Sequence, residues 1–116
     1  MNTVVIFTTH AFSLLNFRGK LIKELISRSH KVHAIAPDFD EESRNKIRSL
    51  GAIPHDCLFE RTGLNIISDL RACIHLFKLL KTIKPDCLLS YFIKPVIYGT
   101  VCGFLAGINL RVAMIE

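Results

Sequence analysis

The side chains best suited to chemistry fall into three stretches of the 116-residue sequence. His10, Ser13, Asn16 and Arg18 follow the apolar run Val4-Val5-Ile6-Phe7 and precede a segment of helical period. Arg61 and Asn65 stand in the polar stretch Glu60-Arg61-Thr62-Gly63-Leu64-Asn65, and Lys94 sits between an apolar run and Pro95. Hydroxyl, carboxamide, imidazole and guanidinium groups just ahead of a helix N-terminus can hold hydroxyls or a phosphate, where the helix dipole favours negative charge. A lysine at the mouth of a crevice can set a positive point charge against a phosphate or a leaving group. Each has a plainer alternative: Arg18 as an exposed helix residue, Lys94 as a solvated loop lysine. A base role for His10 rests on its position alone, and no residue is assigned a catalytic role.

Several chemistries lack their pattern. The stretch after Phe7 has neither G-x-G-x-x-G nor G-x-x-x-x-G-K-[ST], which argues against dehydrogenases and the usual ATPases. His30 and His33 have H-x-x-H spacing but straddle a turn and a strand start, so no metal site is expected; His55 and His75 offer no partner for one either. No triad or carboxylate pair stands out. Cys57, Cys73, Cys87 and Cys102 form no C-x-x-C pair and read as small buried hydrophobes in a reducing compartment.

The elements that must position these residues follow from hydropathy. Short β-rich runs at Thr3 to Phe7, Lys31 to Ala36, Ala52 to Leu58, Asp86 to Ser90 and Leu110 to Ile115 alternate with four segments of helical period. That alternation predicts an α/β fold, an open Rossmann-like parallel sheet of about five strands flanked by helices. Helix one should pack Leu21, Leu25, Ile22 and Ile26 inward. Helix two carries Asp40, Glu41 and Glu42 at its start, Arg44, Lys46 and Arg48 towards its end, and stops at Gly51. Helix three should turn Ile67, Leu70, Ile74, Phe77 and Leu80 to the core, leaving Arg71, Lys78, Lys81 and Lys84 for solvent or for lipid phosphates.

Half of the residues are apolar, enough for one core without metals or disulfides, so residues 1–116 are read as one domain. The net charge of +5 favours anionic partners without choosing among them, and the dipole-complementing charges of helix two argue against a nucleic-acid patch. Met1 to Thr9 has no basic leader or cleavage site, which with the thiols suggests a cytoplasmic domain. From Pro95 to Leu110 no residue is charged, and Gly99, Gly103 and Gly107 repeat a G-x-x-x-G spacing. A span needs about 20 apolar residues, so a buried helix with its glycine face against the sheet is expected instead.

Right-handed crossovers in the strand order 3-2-1-4-5 place the ligand crevice at the carboxyl ends, between strands one and four. The His10 to Arg18 stretch and Tyr91-Phe92-Ile93-Lys94 should meet there, with Arg61 and Asn65 opening on the same side.

Phe17-Arg18, Ser29-His30-Lys31-Val32, Arg61-Thr62-Gly63-Leu64-Asn65, Lys84-Pro85-Asp86 and above all Ile93-Lys94-Pro95-Val96-Ile97-Tyr98-Gly99 stand in a familiar order and spacing. Over nearly the whole chain they resemble the N-terminal domain of family 4 glycosyltransferases, in the branch that builds bacterial capsule, O-antigen and related surface glycans. Ser29 stands where that family often has glycine. The resemblance implies one half of a two-domain GT-B architecture whose C-terminal donor domain is not in this sequence. It implies a retaining, metal-free enzyme with a nucleotide sugar as donor substrate and no cofactor. The acceptor side, a sugar on polyprenyl diphosphate at the inner membrane face, would meet His10, Asn16, Arg18, Arg61, Asn65, Lys94 and Tyr98. By itself such a half should not catalyse transfer. The alternatives are a noncatalytic membrane-associated subunit that recruits a separate donor-binding chain, and a small-molecule binding domain of the nucleotide-sugar epimerase kind.

Overall fold

The computed structural model of the chain describes residues 2–8, 19–57, 66–91, 93–108 and 110–114, with the side chains of 66–69, 91, 93–95, 113 and 114 outside that description. Strands and helices alternate as β1 (Thr3–Phe7), α1 (Gly19–Ser27), β2 (Lys31–Ala36), α2 (Glu41–Ser49), β3 (Ile53–Asp56), α3 (Ile66–Ile83), β4 (Cys87–Tyr91), α4 (Ile93–Leu105) and β5 (Leu110–Met114). The described strands pair in parallel, in the order β3-β2-β1-β4-β5. Fold class and strand order are those that the alternation predicts.

Successive side chains of a strand point to opposite faces, and the core divides accordingly. Val4, Ile6, Val32, Ala34 and Ala36 pack under α1 and α2, around Ile22 and Ile47. Val5, Phe7, Ile35 and Leu88 pack under α3 and α4, around Leu76, Leu80 and Cys102. Strands covered on both faces are largely apolar, hence the run Val4-Val5-Ile6-Phe7 in β1 and Ala34-Ile35-Ala36 in β2, with His33 a buried polar exception. Asp86 ties β4 to β1: its carboxylate accepts from the Thr3 N–H at 2.8 Å, and its own N–H donates to the Thr3 carbonyl at 2.8 Å.

Local chemistry sets the helix ends. Asp40 Oδ1 accepts from the Ser43 N–H at 2.7 Å and Ser43 Oγ accepts from the Asp40 N–H at 2.9 Å, a capping box for α2. Such a cap contributes roughly 1 kcal/mol. Gly51, at φ +97°, leaves the helix in a conformation that disfavours side chains, with Ile26 of α1 packed where its Cβ would be.

The structure corrects several expectations. In α3 the buried stripe is Ala72, Leu76 and Leu80, while Leu70 is 59% and Ile74 48% exposed. Both stripes are apolar, so periodicity fitted either; small Ala72 and Cys73 allow close packing, and the Cys102 thiol reaches the Cys73 carbonyl at 3.6 Å. Phe77 is half-buried, with the Lys81 ammonium 5.9 Å from its ring centre. The helix α4 is buried on one face only: Ile97, Val101, Phe104 and Leu105 lie on its exposed side. Gly99 and Gly103 do face the sheet, but Gly107 lies beyond the helix at φ +83°, where the Ile108 N–H caps the Gly103 carbonyl at 2.9 Å. The edge strand β3 covers Ile53–Asp56 rather than Ala52 to Leu58, and β4 runs one residue later than expected.

Candidate functional site

At the centre of the sheet the chain leaves β1 and β4 in opposite directions. The crossover from β1 runs through α1 on one face, and that from β4 through α4 on the other. Phe7 pairs with Ser90, so the carboxyl ends of β1 and β4 lie side by side. Adjacent strands with diverging connections mark the position where open parallel sheets receive ligands.

The ends of β1 and β4 are closely packed at this position. Thr8 is fully buried and its N–H donates to the Ile35 carbonyl at 3.0 Å, extending the ladder past β1. Ser90 is 2% exposed, and its hydroxyl occupies the space that a Cβ on Gly99 would need. That close approach seats α4 on β4, so the first turn of α4, with Lys94 as its second residue, is held at the carboxyl end of β4. No acidic residue stands in that first turn, where the helix dipole favours negative charge.

Of the residues singled out in the sequence, Tyr98 is described in full: it is half-buried and packs against the core beneath α3 and α4. The backbone of Lys94 is described and its side chain is not. His10, Asn16 and Arg18, on the segment leaving β1, and Arg61 and Asn65, on the segment leaving β3, lie outside the described residues. Both segments depart from carboxyl ends of strands, the side on which α4 begins.

Sequence reasoning missed a polar cluster on the β3 side. His33 Nδ1 and His55 Nε2 lie 2.8 Å apart, and His75 Nε2 reaches the Asp56 carbonyl at 3.1 Å. Arg44 of α2 pairs with the Asp56 carboxylate. The parallel register could have revealed it, because His33 pairs with Ile53 and His55 stands two residues further on the same face. Burial, then the charges of His55 and Lys31, pushes the His33 imidazole down from 6.5 to about 4. Among the described residues no group of three or more His, Cys, Asp or Glu could hold a metal ion. A hollow of about 350 Å³ lined by Lys81, Lys84, Pro85, Ala106, Gly107 and Ile108 lies at the opposite end of the sheet. There the lysines complement the carbonyl ends of α3 and α4.

No protein-family model matches the chain. In sequence it is 32% identical, over 111 residues, to the N,N'-diacetylbacillosaminyl-diphospho-undecaprenol alpha-1,3-N-acetylgalactosaminyltransferase of Campylobacter jejuni, covering 95% of this chain and 29% of that protein. The chain therefore spans less than a third of the length of this curated relative. In fold it matches a glycosyltransferase from Rickettsia africae with a TM-score of 0.70 and 11% identity, over 98% of this chain and 29% of that one. It also matches the 4-carboxy-2-hydroxymuconate hydratase GalB of Pseudomonas putida with a TM-score of 0.73 and 12% identity, over 96% of this chain and 62% of that one. Identities this low show the fold alone, and a sheet shared by a transferase and a hydratase selects neither activity. By sequence this is a glycosyltransferase-like chain, homologous to part of a larger transferase, and it is built on an open Rossmann-like sheet.

Proposed function

We propose that the chain is the acceptor-binding half of a retaining, nucleotide-sugar-dependent glycosyltransferase of the family 4 kind, serving capsule or O-antigen type glycans and inactive alone. The observation that carries this is the match over 95% of the chain to the Campylobacter enzyme, whose name specifies a diphospho-undecaprenol-linked sugar as acceptor. In this reading the acceptor diphosphate lies at the start of α4, near Lys94, where the helix dipole and the ammonium act together. His10, Asn16 and Arg18 from the segment after β1, Arg61 and Asn65 from the segment after β3, and Tyr98 line the acceptor side. No cofactor takes part. The donor nucleotide sugar is held mainly by a second domain, whose groups must also stabilise the departing nucleotide diphosphate.

Titration calorimetry with a short-chain, water-soluble prenyl-diphosphate-linked sugar tests this directly. Binding that is lost when the diphosphate is removed supports the reading. Equal affinity for the sugar with and without its diphosphate overturns it.

A second reading, a noncatalytic membrane-associated subunit that recruits a separate donor-binding chain, is favoured by the outer surface of α3 and α4. Leu70, Ile74, Ile97 and Val101 are exposed there beside Arg71, Lys78 and Lys81, and no described helix is long and apolar enough to cross a membrane. Apolar side chains flanked by cations suit the anionic inner face of a bilayer. Sedimentation with anionic but not neutral vesicles, without binding of the diphosphate sugar, would favour this reading over the first.

A further inference from the structure

The sheet is tied together by different chemistry at its centre and at its β3 edge. Between β1, β2 and β4 the buried contacts are apolar, Val4, Ile6 and Val32 on one face and Val5, Phe7, Ile35 and Leu88 on the other. At the amino ends of these strands the Asp86 carboxylate accepts from the Thr3 N–H. The four-residue strand β3 is held to each of its neighbours through polar side chains. His55 Nε2 meets His33 Nδ1 of β2 at 2.8 Å. The Asp56 carboxylate pairs with Arg44 of α2, and the Asp56 carbonyl accepts from His75 Nε2 of α3 at 3.1 Å. Just past the strand, the Cys57 N–H donates to the Ala36 carbonyl at 3.2 Å. Ile53 is 40% exposed, and Pro54 and His55 are half-buried, so β3 adds little apolar burial of its own.

Protons act on these ties in one direction. While one of the two imidazoles offers a bare nitrogen, the pair shares a hydrogen bond; a second proton leaves two N–H groups facing each other at 2.8 Å in a half-buried site. Among the described residues, the groups around the pair do not relieve this. Lys31 on β2 adds like charge and His75 on α3 is a further imidazole, while Asp56, the carboxylate that opposes them, is already engaged by Arg44. We propose that the β3 edge is an acid-released strap: proton uptake by the His33–His55 pair detaches β3 from β2 while β1, β2 and β4 stay folded together. The direction is the same for both rings. Burial pushes His33 from 6.5 down to about 4 and lowers His55 as well, so the tie is complete above about pH 6.5 and weakens as the pH falls towards 4. Release takes the donor from the Ala36 carbonyl and turns β2 into an open edge able to pair with another strand. The strap is independent of the transferase reading.

Amide hydrogen exchange of the full chain, followed residue by residue by NMR, tests this. The Cys57 N–H reports the contact of β3 with β2, and the Thr8 N–H, which donates to the Ile35 carbonyl, reports that of β1 with β2. At pH 7 Cys57 should exchange through a local opening, with a protection factor about tenfold or more below that of Thr8 and little changed by low urea. Between pH 7 and pH 4.5 its protection factor, corrected for the intrinsic exchange rate, should fall by about 50-fold, the ratio for one histidine that returns from about 4 to 6.5 on opening. Thr8 should stay the better protected at both pH values. His33→Gln keeps a hydrogen-bonding partner for His55 that takes no proton, and it should abolish most of the fall at Cys57. Equal protection and equal urea dependence of Cys57 and Thr8 at both pH values would overturn the proposal, because β3 would then leave only with the whole fold. An undiminished fall at Cys57 in His33→Gln would overturn it too, by removing the imidazole pair as its cause. The comparison of the two amides needs no substitution, so it decides the matter even if His33→Gln fails to fold.

Discussion

The Nδ1 of His33 lies 2.8 Å from the Nε2 of His55, the two rings nearly parallel at 18° with centres 5.1 Å apart, so these imidazoles share a single hydrogen bond between β2 and β3. One nitrogen donates and the other accepts, which requires that the pair not carry two charges. Around it stand Lys31 on β2, Asp56 with its partner Arg44, and His75 on α3. Burial also lowers His55, with His75 adding to the effect and Asp56 opposing it.

A pH dependence of stability follows. In the unfolded chain His33 takes a proton near 6.5, while in the folded protein it stays neutral down to about 4, because burial disfavours the cation. Folded-state pKa below unfolded-state pKa means that the contribution is fully present above about pH 6.5 and is lost as the pH falls through the window down to 4. The gap corresponds to roughly 3 kcal/mol. Urea midpoints measured at pH 7, 5.5 and 4.5 should fall more steeply for the wild type than for His33→Leu. Parallel slopes would remove His33 from the account.

Ser29 offers a stabilising change. It adopts φ +68°, a left-handed conformation costly for any residue with a Cβ, and it closes α1 through its N–H to the Ile26 carbonyl at 3.0 Å. Ser29→Gly should raise stability by about 0.5–1 kcal/mol, the relief of strain outweighing the added freedom of the unfolded chain. A lower melting temperature for the glycine variant would contradict this.

How much of this was legible in the sequence depended on whether a local pattern had one solution. Fold class and helix count were legible because short apolar runs alternate with segments of helical period while Asp40 and Gly51 punctuate α2, and each signal points to one structure. The face of α3 was not, because Leu70 and Ile74 make as good an apolar stripe as Leu76 and Leu80; the smallness of Ala72 and Cys73 decides it, through packing that no periodicity contains. The His33 and His55 contact needed the β2 to β3 register, which is a tertiary fact. The point between β1 and β4 where the connections diverge was legible from topology, whereas residues 9–18 and 58–65, which carry five of the seven proposed site residues, lie outside the described structure.

The seat of α4 makes a sharper prediction. A Cβ on Gly99 would stand 2.5 Å from Ser90 Oγ and 3.3 Å from Phe7 Cδ2, and Ser90 and Phe7 are 2% and 1% exposed, with little room to yield. Alanine gains about 1 kcal/mol in helix propensity but overpacks the contact by about 1–3 kcal/mol, so Gly99→Ala should destabilise by up to about 2 kcal/mol. In a Ser90→Ala background the nearest clash is gone, and the cost of Gly99→Ala should shrink by about 1 kcal/mol. Strictly additive costs in this double-mutant cycle would show that the hydroxyl does not set the helix position.

The buried thiols should be inert. Burial raises Cys57 and Cys102 to about 12, the nearby Cys73 adding to both, so the thiolate is scarce at neutral pH. With a chromogenic disulfide at pH 7.5, Cys57 and Cys102 should react only as fast as the protein unfolds, and urea below the transition should leave their rates low. Rapid reaction in the native state would mean that the core between α3 and α4 opens locally.

Lys94 separates a binding role from a structural one. It is the second residue of α4, in a first turn that holds no acidic residue, and Gly99 and Gly103 seat the helix against the sheet. Lys94→Ala should therefore move stability by no more than about 0.5 kcal/mol. If the ammonium meets the acceptor diphosphate, its loss removes a charge-assisted contact of about 1.5–3 kcal/mol, which weakens binding of the prenyl-diphosphate sugar by roughly 10- to 100-fold. Lys94→Arg keeps the charge but changes the donor geometry, so it should recover part of that loss. Affinity for the same sugar without its diphosphate should be equal in all three proteins. Unchanged affinity of Lys94→Ala for the diphosphate form would remove Lys94 from the site, and a large loss of stability would assign it to the fold instead.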